Sequence, residues 1–276
     1  MSDRVDLRGK VAVVTGGGRG LGQAMALALA ARGAAVAVTA RSADQLRATV
    51  GSIDAAGGVA RAFPAHLGDA GDVQRLKAAV EQDLGAPCIL VNCAGTFGPV
   101  ALVQDSDPAE WIDTLMINTV AAYLTTHAFV GAMLAHGWGR IVNVSSAASL
   151  HPPGGYNTAY ATSKAALNHF TRGLAAELDG SGVTANVIHP GDVKTAMWAD
   201  IRGKAGRLTA GADGYRNWVK WVDETGGDPP HKAADLVLNL VSDAAAGING
   251  KFLWIADSLQ KPVASWGDES DALPWN

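Results

Sequence analysis

Val11-Ala12-Val13-Val14-Thr15-Gly16-Gly17-Gly18-Arg19-Gly20-Leu21-Gly22 decides the fold. A short β-branched run ends in a glycine-rich turn, and an Ala/Leu-rich helical pattern, Leu21–Arg32, follows at once. Glycines let a backbone turn tightly and approach a pyrophosphate, whose charge then rests at the helix N-terminus. The spacing is G-x-x-x-G-x-G rather than G-x-G-x-x-G. The strand before it and the helix after it are nevertheless those a dinucleotide-binding turn requires. Gly16, Gly18, Arg19, Gly20 and Leu21 are therefore candidates for cofactor contact.

The same alternation runs outward from this turn. Further strand candidates are Ala35–Thr39, Val59–Phe63, Ile89–Asn92, Arg140–Ser145, Thr184–His189 and Lys251–Ile255. They are apolar without polar alternation, as expected of parallel strands covered on both faces. Helical patterns lie between them: Ala43–Ala56, Asp72–Leu84, Pro108–His136, Ala159–Leu178 and Lys232–Ser242. Ser42 with Gln45 reads as a capping box, and Asp107-Pro108 with Glu110 as a second helix start. Alternating β and α predicts a doubly wound parallel sheet flanked by helices.

Residues 1–257 are expected to form one dinucleotide-binding and catalytic domain, with 258–276 a polar tail that carries Trp266 and Trp275. One stretch, Ala196–Pro230, breaks the pattern. It reads as irregular and Gly-rich, carries Trp198, Trp218 and Trp221, and is expected to be a substrate lid, since long loops in compact domains are commonly functional. Net charge is −4 with scattered Lys and Arg, so no basic stripe for nucleic acid is expected. No apolar run approaches the roughly 20 residues of a membrane span. The polar start, Met1 to Lys10, has no apolar h-region, which leads to the expectation of a cytoplasmic protein. Cys88 and Cys93, read as lying on one strand, would be about 16 Å apart, too far for a disulfide. The histidines show no metal-binding spacing, so no metal site is expected.

The second strand ends at Thr39-Ala40-Arg41. An NAD site of this architecture places an Asp or Glu there to hold the ribose 2′-hydroxyl. That acid is missing, and Arg41 with Arg19 would suit a 2′-phosphate, which favours NADP over NAD. Farther on, Ile141-Val-Asn-Val-Ser145-Ser146 is a strand ending in hydroxyls, at the sheet edge where open α/β proteins bind ligands. Tyr160-Ala-Thr-Ser-Lys164 opens a helix, and its spacing puts Tyr160 and Lys164 on one face. An ammonium beside a phenol, together with the positive ring of NADP⁺, favours the phenolate, so the sequence predicts a lowered Tyr160 pKa and a general acid/base.

Together these motifs resemble the short-chain dehydrogenase/reductase family over about Lys10 to Ala256. The resemblance is carried by Thr15-Gly-Gly-Gly-Arg-Gly-Leu-Gly22, Asn92-Cys-Ala-Gly95, Asn118, Ser146, Tyr160-x-x-x-Lys164 and Pro190-Gly191 with Thr195. It implies a single-domain Rossmann-type fold with a seven-stranded parallel sheet, and hydride transfer between a nicotinamide and a carbonyl or secondary alcohol. Tyr160 is then the proton donor and Ser146 the substrate-oxygen partner. Lys164 binds the nicotinamide ribose, and Asn118 holds a water in the proton relay. Asn92, Ala94 and Gly95 line the adenosine side. Leu67 contacts adenine through its backbone, and Pro190, Val193 and Thr195 contact the carboxamide and phosphates. Pairing of the long helices Pro108–His136 and Ala159–Leu178 with their copies is implied too, giving a homodimer or homotetramer.

Several positions depart from the family pattern. Cys93 replaces a second Asn, and His66 stands near the place of an adenine-contacting Asp. Ser145 rivals Ser146, and Tyr156 rivals Tyr160 without a Lys four residues on. A catalytically silent NADP-binding module is the rival function, opposed by the complete set Asn118, Ser146, Tyr160 and Lys164. A sugar-nucleotide epimerase would space its glycines differently. The lid aromatics Trp198, Tyr215, Trp218 and Trp221 with Met197, faced by His151, Pro152 and Pro153, predict a bulky apolar or aromatic small-molecule substrate. Arg202, Lys204 and Arg207 are read as a solvated face rather than a phosphate site.

Overall fold

Side chains alternate across a strand, and here both sets are apolar. On β1 (Val11–Thr15), Ala12 and Val14 join one core while Val11 and Val13 join another. A strand of this kind has no face fit for water, so helices must cover both sides. The computed structural model, which describes residues 5–151, 154–206, 208 and 212–264, shows that arrangement. The sheet adds β2 (Ala35–Ala40), β3 (Val59–Pro64), β4 (Ile89–Asn92), β5 (Gly139–Val144), β6 (Val183–His189) and β7 (Phe252–Trp254). All pairings are parallel, in the order β3-β2-β1-β4-β5-β6-β7.

One face is covered by α1 (Gly20–Ala31), α2 (Ala43–Ala55) and, after the segments named below, α9 (Pro230–Leu240). Met25, Leu29, Leu46, Ile53 and Val237 pack there on Val14, Val36 and Val91. The other face takes α3 (Ala70–Leu84), α5 (Ala121–His136) and α6 (Thr158–Glu177). Val80, Phe129, Met133 and Leu174 pack there on Val13, Leu90 and Ile141. Each such side chain, fully buried, contributes roughly 1.5–3 kcal/mol. The two cores make one domain, as the resemblance implied. Strand order reverses between β1 and β4, and this switch point opens a crevice at the carboxyl ends of the strands.

Three expectations are corrected. Pro108–His136 is not one uniform helix: α4 (Pro108–Leu115) and α5 are joined by a π turn, Met116–Val120, with buried Asn118 inside it. This 29-residue stretch is long and apolar enough to cross a membrane by length and composition, contrary to the reading of its sequence. In the fold, α5 lies against β4, β5 and α3, the place of a core helix. The stretch 196–230 is not irregular: it forms α7 (Ala196–Ala205) and α8 (Asp213–Thr225), which pack together through Ile201, Val219 and Val222. Both cysteines are free and flank β4. Trp266, Trp275, Pro152, Pro153 and Arg207 lie outside the described residues.

Candidate active site

The glycine turn is shaped by space as well as by torsion. Gly20 starts α1 with φ +57, and a Cβ on Gly22 would stand 2.3 Å from the Gly16 carbonyl oxygen. No residue but glycine fits the second position, because that atom is backbone. Across the switch point Thr15 Oγ1 accepts hydrogen bonds from the Cys93 and Ala94 amides, both at 3.0 Å. The ends of β1 and β4 are thus tied together beneath an open cleft of about 450 Å³.

Most of the residues expected at a cofactor line this cleft: Gly16, Gly18, Arg19, Gly20, Leu21, Arg41, Leu67, Ala94, Gly95, Tyr160, Lys164, Pro190 and Thr195. Two do not. Val193 lines the adjoining cavity. Asn92 is buried in the sheet, where its amide donates to Asn143 Oδ1 at 2.8 Å and its Oδ1 accepts from Thr125 at 2.7 Å. The cleft fits a dinucleotide. Its turn leaves no room for side chains, a helix N-terminus faces it, and Gly95 forms a floor beside Asn118 Oδ1 and Lys164 Nζ, 3.2 and 3.7 Å from where a Cβ would stand. Arg19 and Arg41 are exposed at its rim and make no ion pair among the described residues. The lining residues Ser42, Gln45 and Asp113 were not foreseen.

Tyr160 and Lys164 project from the first turns of α6. Tyr160 and Ser146 line the same cavity, and the Tyr160 ring stacks on Phe97 at 4.5 Å between centroids. Lys164 Nζ donates to the Val144 carbonyl at 2.8 Å and lies 5.7 Å from the centre of the Tyr160 ring. Ser145, the rival serine, also lines cleft and cavity, and its hydroxyl donates to the Lys164 carbonyl at 3.4 Å. Tyr156, the rival tyrosine, lies on the cavity wall at φ 72, a left-handed conformation costly for a side chain of its size.

The chain's own groups do not supply the expected lowering of the Tyr160 pKa, which also counted the positive ring of NADP⁺. Burial pushes the phenol up to about 12, with the Ser146 hydroxyl opposing. Burial also drives the Lys164 ammonium down to about 8. Lost hydration outweighs the charge that the sequence set beside the phenol, and that charge points at a carbonyl instead.

Asn118 holds the loop after β4 to α6. Its Nδ2 donates to the Thr96 carbonyl and to Ser163 Oγ, each at 2.9 Å, and its Oδ1 accepts from the Thr96 amide at 2.8 Å. π turns of this kind recur at functional sites. Both amide hydrogens are committed within the protein.

Beyond Tyr160 the cleft continues into a cavity of about 700 Å³. Phe97, Met197, Trp198, Ile201, Tyr215, Trp218 and Trp221 line it, with His151, Gly154 and Tyr156 also on its wall. Trp198 is 7 % exposed, and the Arg202 guanidinium lies 4.9 Å from its ring centre. Lys204 is turned to Asp200 and Glu110. Sequence reasoning missed Asp192 and Gln260 on this wall. Among the described residues no group of His, Cys, Asp or Glu is placed to hold a metal ion.

Residues 10–206 match the family model described as short chain dehydrogenase. The chain is 41 % identical to the short-chain reductase protein NovJ of Streptomyces niveus, over 71 % of this chain and 74 % of that one. It is 32 % identical to the 2,3-dihydro-2,3-dihydroxybenzoate dehydrogenase of Bacillus subtilis, over 88 % and 92 %. Among solved structures, a tryptophan variant of actinorhodin polyketide ketoreductase with NADPH superposes at a TM-score of 0.81 and 28 % identity, covering 89 % of this chain and 95 % of that one.

Proposed function

The chain belongs to the short-chain dehydrogenase family, and from that premise we propose that it is an NADPH-dependent reductase of bulky, mostly apolar or aromatic carbonyl compounds, acting in reverse on secondary alcohols. One observation carries the reading: Tyr160 lines both the nucleotide cleft and the 700 Å³ cavity. A group at that junction can touch a cofactor and a substrate together. Preference for NADPH is supported by Arg19 and Arg41 at the rim, by Ala40 where an acid would hold a 2′-hydroxyl, and by the NADPH of the ketoreductase relative. Bulk and aromatic character are supported by the walls of Phe97, Trp198, Tyr215 and Trp218.

The nicotinamide, when bound, supplies the hydride in reduction and takes it in oxidation. The glycines of the turn, Leu21, Leu67, Ala94, Gly95, Pro190, Val193 and Thr195 would hold the dinucleotide, with Asn92 acting through the sheet. Tyr160 Oη gives its proton to the substrate carbonyl oxygen, and Ser146 donates a hydrogen bond to the same atom. A phenol at about 12 is fully protonated at neutral pH, which suits a donor in the reductive direction. Lys164 keeps a positive charge beside the phenolate that proton transfer leaves. Asn118 fixes the loop and helix between which Lys164 sits.

Steady-state NADPH oxidation on a panel of aryl and aliphatic ketones tests the proposal. Turnover of aryl ketones is the expected result, with Tyr160→Phe as the blank. Tight NADPH binding without turnover on any carbonyl would return the chain to the silent-module reading.

A further inference from the structure

Asp192 is the only acid lining the substrate cavity among the described residues, and no Lys or Arg lines it. It is 8 % exposed. Its place is built. Gly191 holds φ +83, and a Cβ there would stand 2.5 Å from Ile255 Cδ1 and 2.7 Å from Asp228 Cβ. The Asp192 amide donates to Asp228 Oδ2 at 3.1 Å, and the Asp228 amide returns a bond to the Asp192 carbonyl at 2.9 Å. The backbone is clamped from both sides, so the carboxylate has little freedom to leave the wall.

The carboxylate is bonded only to neutral donors. Trp218 Nε1 donates to Oδ1 at 3.3 Å and Gln260 Nε2 to Oδ2 at 2.7 Å. His151 Nε2 in turn contacts Gln260 Oε1 at 2.9 Å. No cation pairs with Asp192 among the described residues: Lys194 turns to Asp223 and Lys232 to Asp228. An ionised carboxylate has about four acceptor positions, and two are filled here. A clamp for α8 would need no charge, since an amide could accept from Trp218 equally well. A buried charge is costly unless paired and hydrogen-bonded. Burial raises the pKa of this carboxyl, with Asp228 adding to the rise, and Asp192 is close enough to raise that of Tyr160. Asp192 lines the same cavity as Tyr160 and Ser146, so its unfilled acceptor positions belong to the substrate site.

We propose that Asp192 anchors the substrate by accepting a hydrogen bond from a hydroxyl or protonated amine near the reacting carbonyl, and that the same charge rejects carboxylate-, phosphate- or thioester-coenzyme-bearing substrates. The inference rests on the reductase reading and narrows it to neutral or cationic, donor-bearing aromatic carbonyl compounds.

The test uses acetophenones substituted at the meta or para position with hydroxymethyl, aminomethyl, methoxymethyl or carboxylate groups. Wild-type protein and Asp192→Asn are compared by kcat/KM and, in parallel, by calorimetric binding with NADP⁺ present. A charge-assisted hydrogen bond predicts a wild-type preference for the hydroxymethyl and aminomethyl compounds over methoxymethyl of roughly tenfold to a hundredfold at the better position. In Asp192→Asn the hydroxymethyl-to-methoxymethyl ratio falls toward one and the carboxylate compound gains ground. A wild-type protein without donor preference overturns the proposal. So does a variant in which every compound loses by one factor, because Asp192 would then only position α8. Absence of turnover on all of them counts against the reductase reading alone, since the binding ratios still decide the role of Asp192.

Discussion

The ring of Phe97 lies on that of Tyr160, centroids 4.5 Å apart and planes 25° from parallel. Phe97 belongs to the same apolar cluster as Trp198, Ile201 and Val222. The two lid helices and the reactive phenol therefore share one packed surface. That surface keeps water from the phenol, which is why burial is the largest cause holding Tyr160 at about 12. A proton donor is stabilised in its protonated form by the walls that would seat an aromatic substrate.

Tyr160→Phe keeps the stack and removes the proton. Turnover is expected to fall by about 10² to 10⁴, the usual worth of general acid catalysis. NADPH binding, followed by fluorescence titration, should survive, because the cleft is built mainly of backbone and glycine. Near-normal turnover would move the role to Tyr156.

Lys164 carries a cost in stability that has a pH signature. Its ammonium is depressed from 10.5 to about 8. Between those values the unfolded chain binds the proton that the folded chain has lost, so this group makes stability rise as pH rises through the window. Below about 8 the full penalty remains, on the order of 3 kcal/mol before the lost Val144 hydrogen bond is counted. Lys164→Met should therefore raise the thermal midpoint at neutral pH while abolishing activity. Its advantage over the wild type should shrink between pH 8 and 10.5. An advantage that does not change with pH would show that the Lys164 charge is not the source of the cost.

The sheet was legible because each strand is apolar on both faces, as Val11 to Val14 are, and only a parallel sheet between two helix layers accommodates that. The glycine turn and the Tyr160–Lys164 spacing were legible because local chemistry fixes them. Four features were not. Tyr215, Trp218, Val219 and Val222 fall at helical spacing and would have revealed α8, but Gly203, Gly206, Gly211 and Gly214 made the segment read as loop. The π turn at Asn118 arises from hydrogen bonds to Thr96 and Ser163, partners distant in sequence. The sign of the Tyr160 shift depends on burial, which the i to i+4 spacing does not contain. Asp192 followed Pro190-Gly191 in plain view, yet only the fold turns it onto the cavity wall with Gln260.

Arg41 makes no ion pair among the described residues and stands at the cleft rim beside Ser42. Arg41→Ala should weaken NADPH binding by roughly tenfold to a hundredfold, the value of a charge-assisted contact, and leave NADH binding within about threefold. The wild-type preference should also weaken with salt, as expected of an exposed charge pair. Equal wild-type affinity for NADH and NADPH would refute the assignment.

Tyr123, His127 and Leu134 are exposed along one stripe of α5, with Tyr123 edge-on to Phe170 of α6 at 6.0 Å. Ile112 of α4 is 58 % exposed. Apolar side chains repeated on one helix face call for a cover. We expect sedimentation to give a dimer or tetramer at micromolar concentration, and Tyr123→Glu with Leu134→Glu to give monomer. A monomeric wild type would leave these side chains as ordinary surface.

Trp198 joins lid, cavity and surface charge. Thr195 Oγ1 caps the helix by accepting from the Trp198 amide at 3.4 Å, so its position follows directly from the Pro190–Thr195 segment. The indole belongs to the cluster of Phe97 and Ile201, and the Arg202 guanidinium and Lys194 ammonium both lie over its ring. If it seats an aromatic substrate, its removal must harm large aromatic ketones more than small aliphatic ones. Trp198→Ala is expected to lower kcat/KM for the aromatic ketone by roughly tenfold to a hundredfold, in line with about 1.5–3 kcal/mol of lost apolar contact. The aliphatic ketone should lose little. Truncating a buried Trp also costs about 3–5 kcal/mol of stability, so Trp198→Leu, which keeps more apolar volume than Ala but not the ring, is measured beside it with a thermal melt of each. The same selective loss in the Leu variant ties the effect to the aromatic face. Equal losses on both ketones in a stably folded Leu variant would reduce Trp198 to a packing residue of the lid.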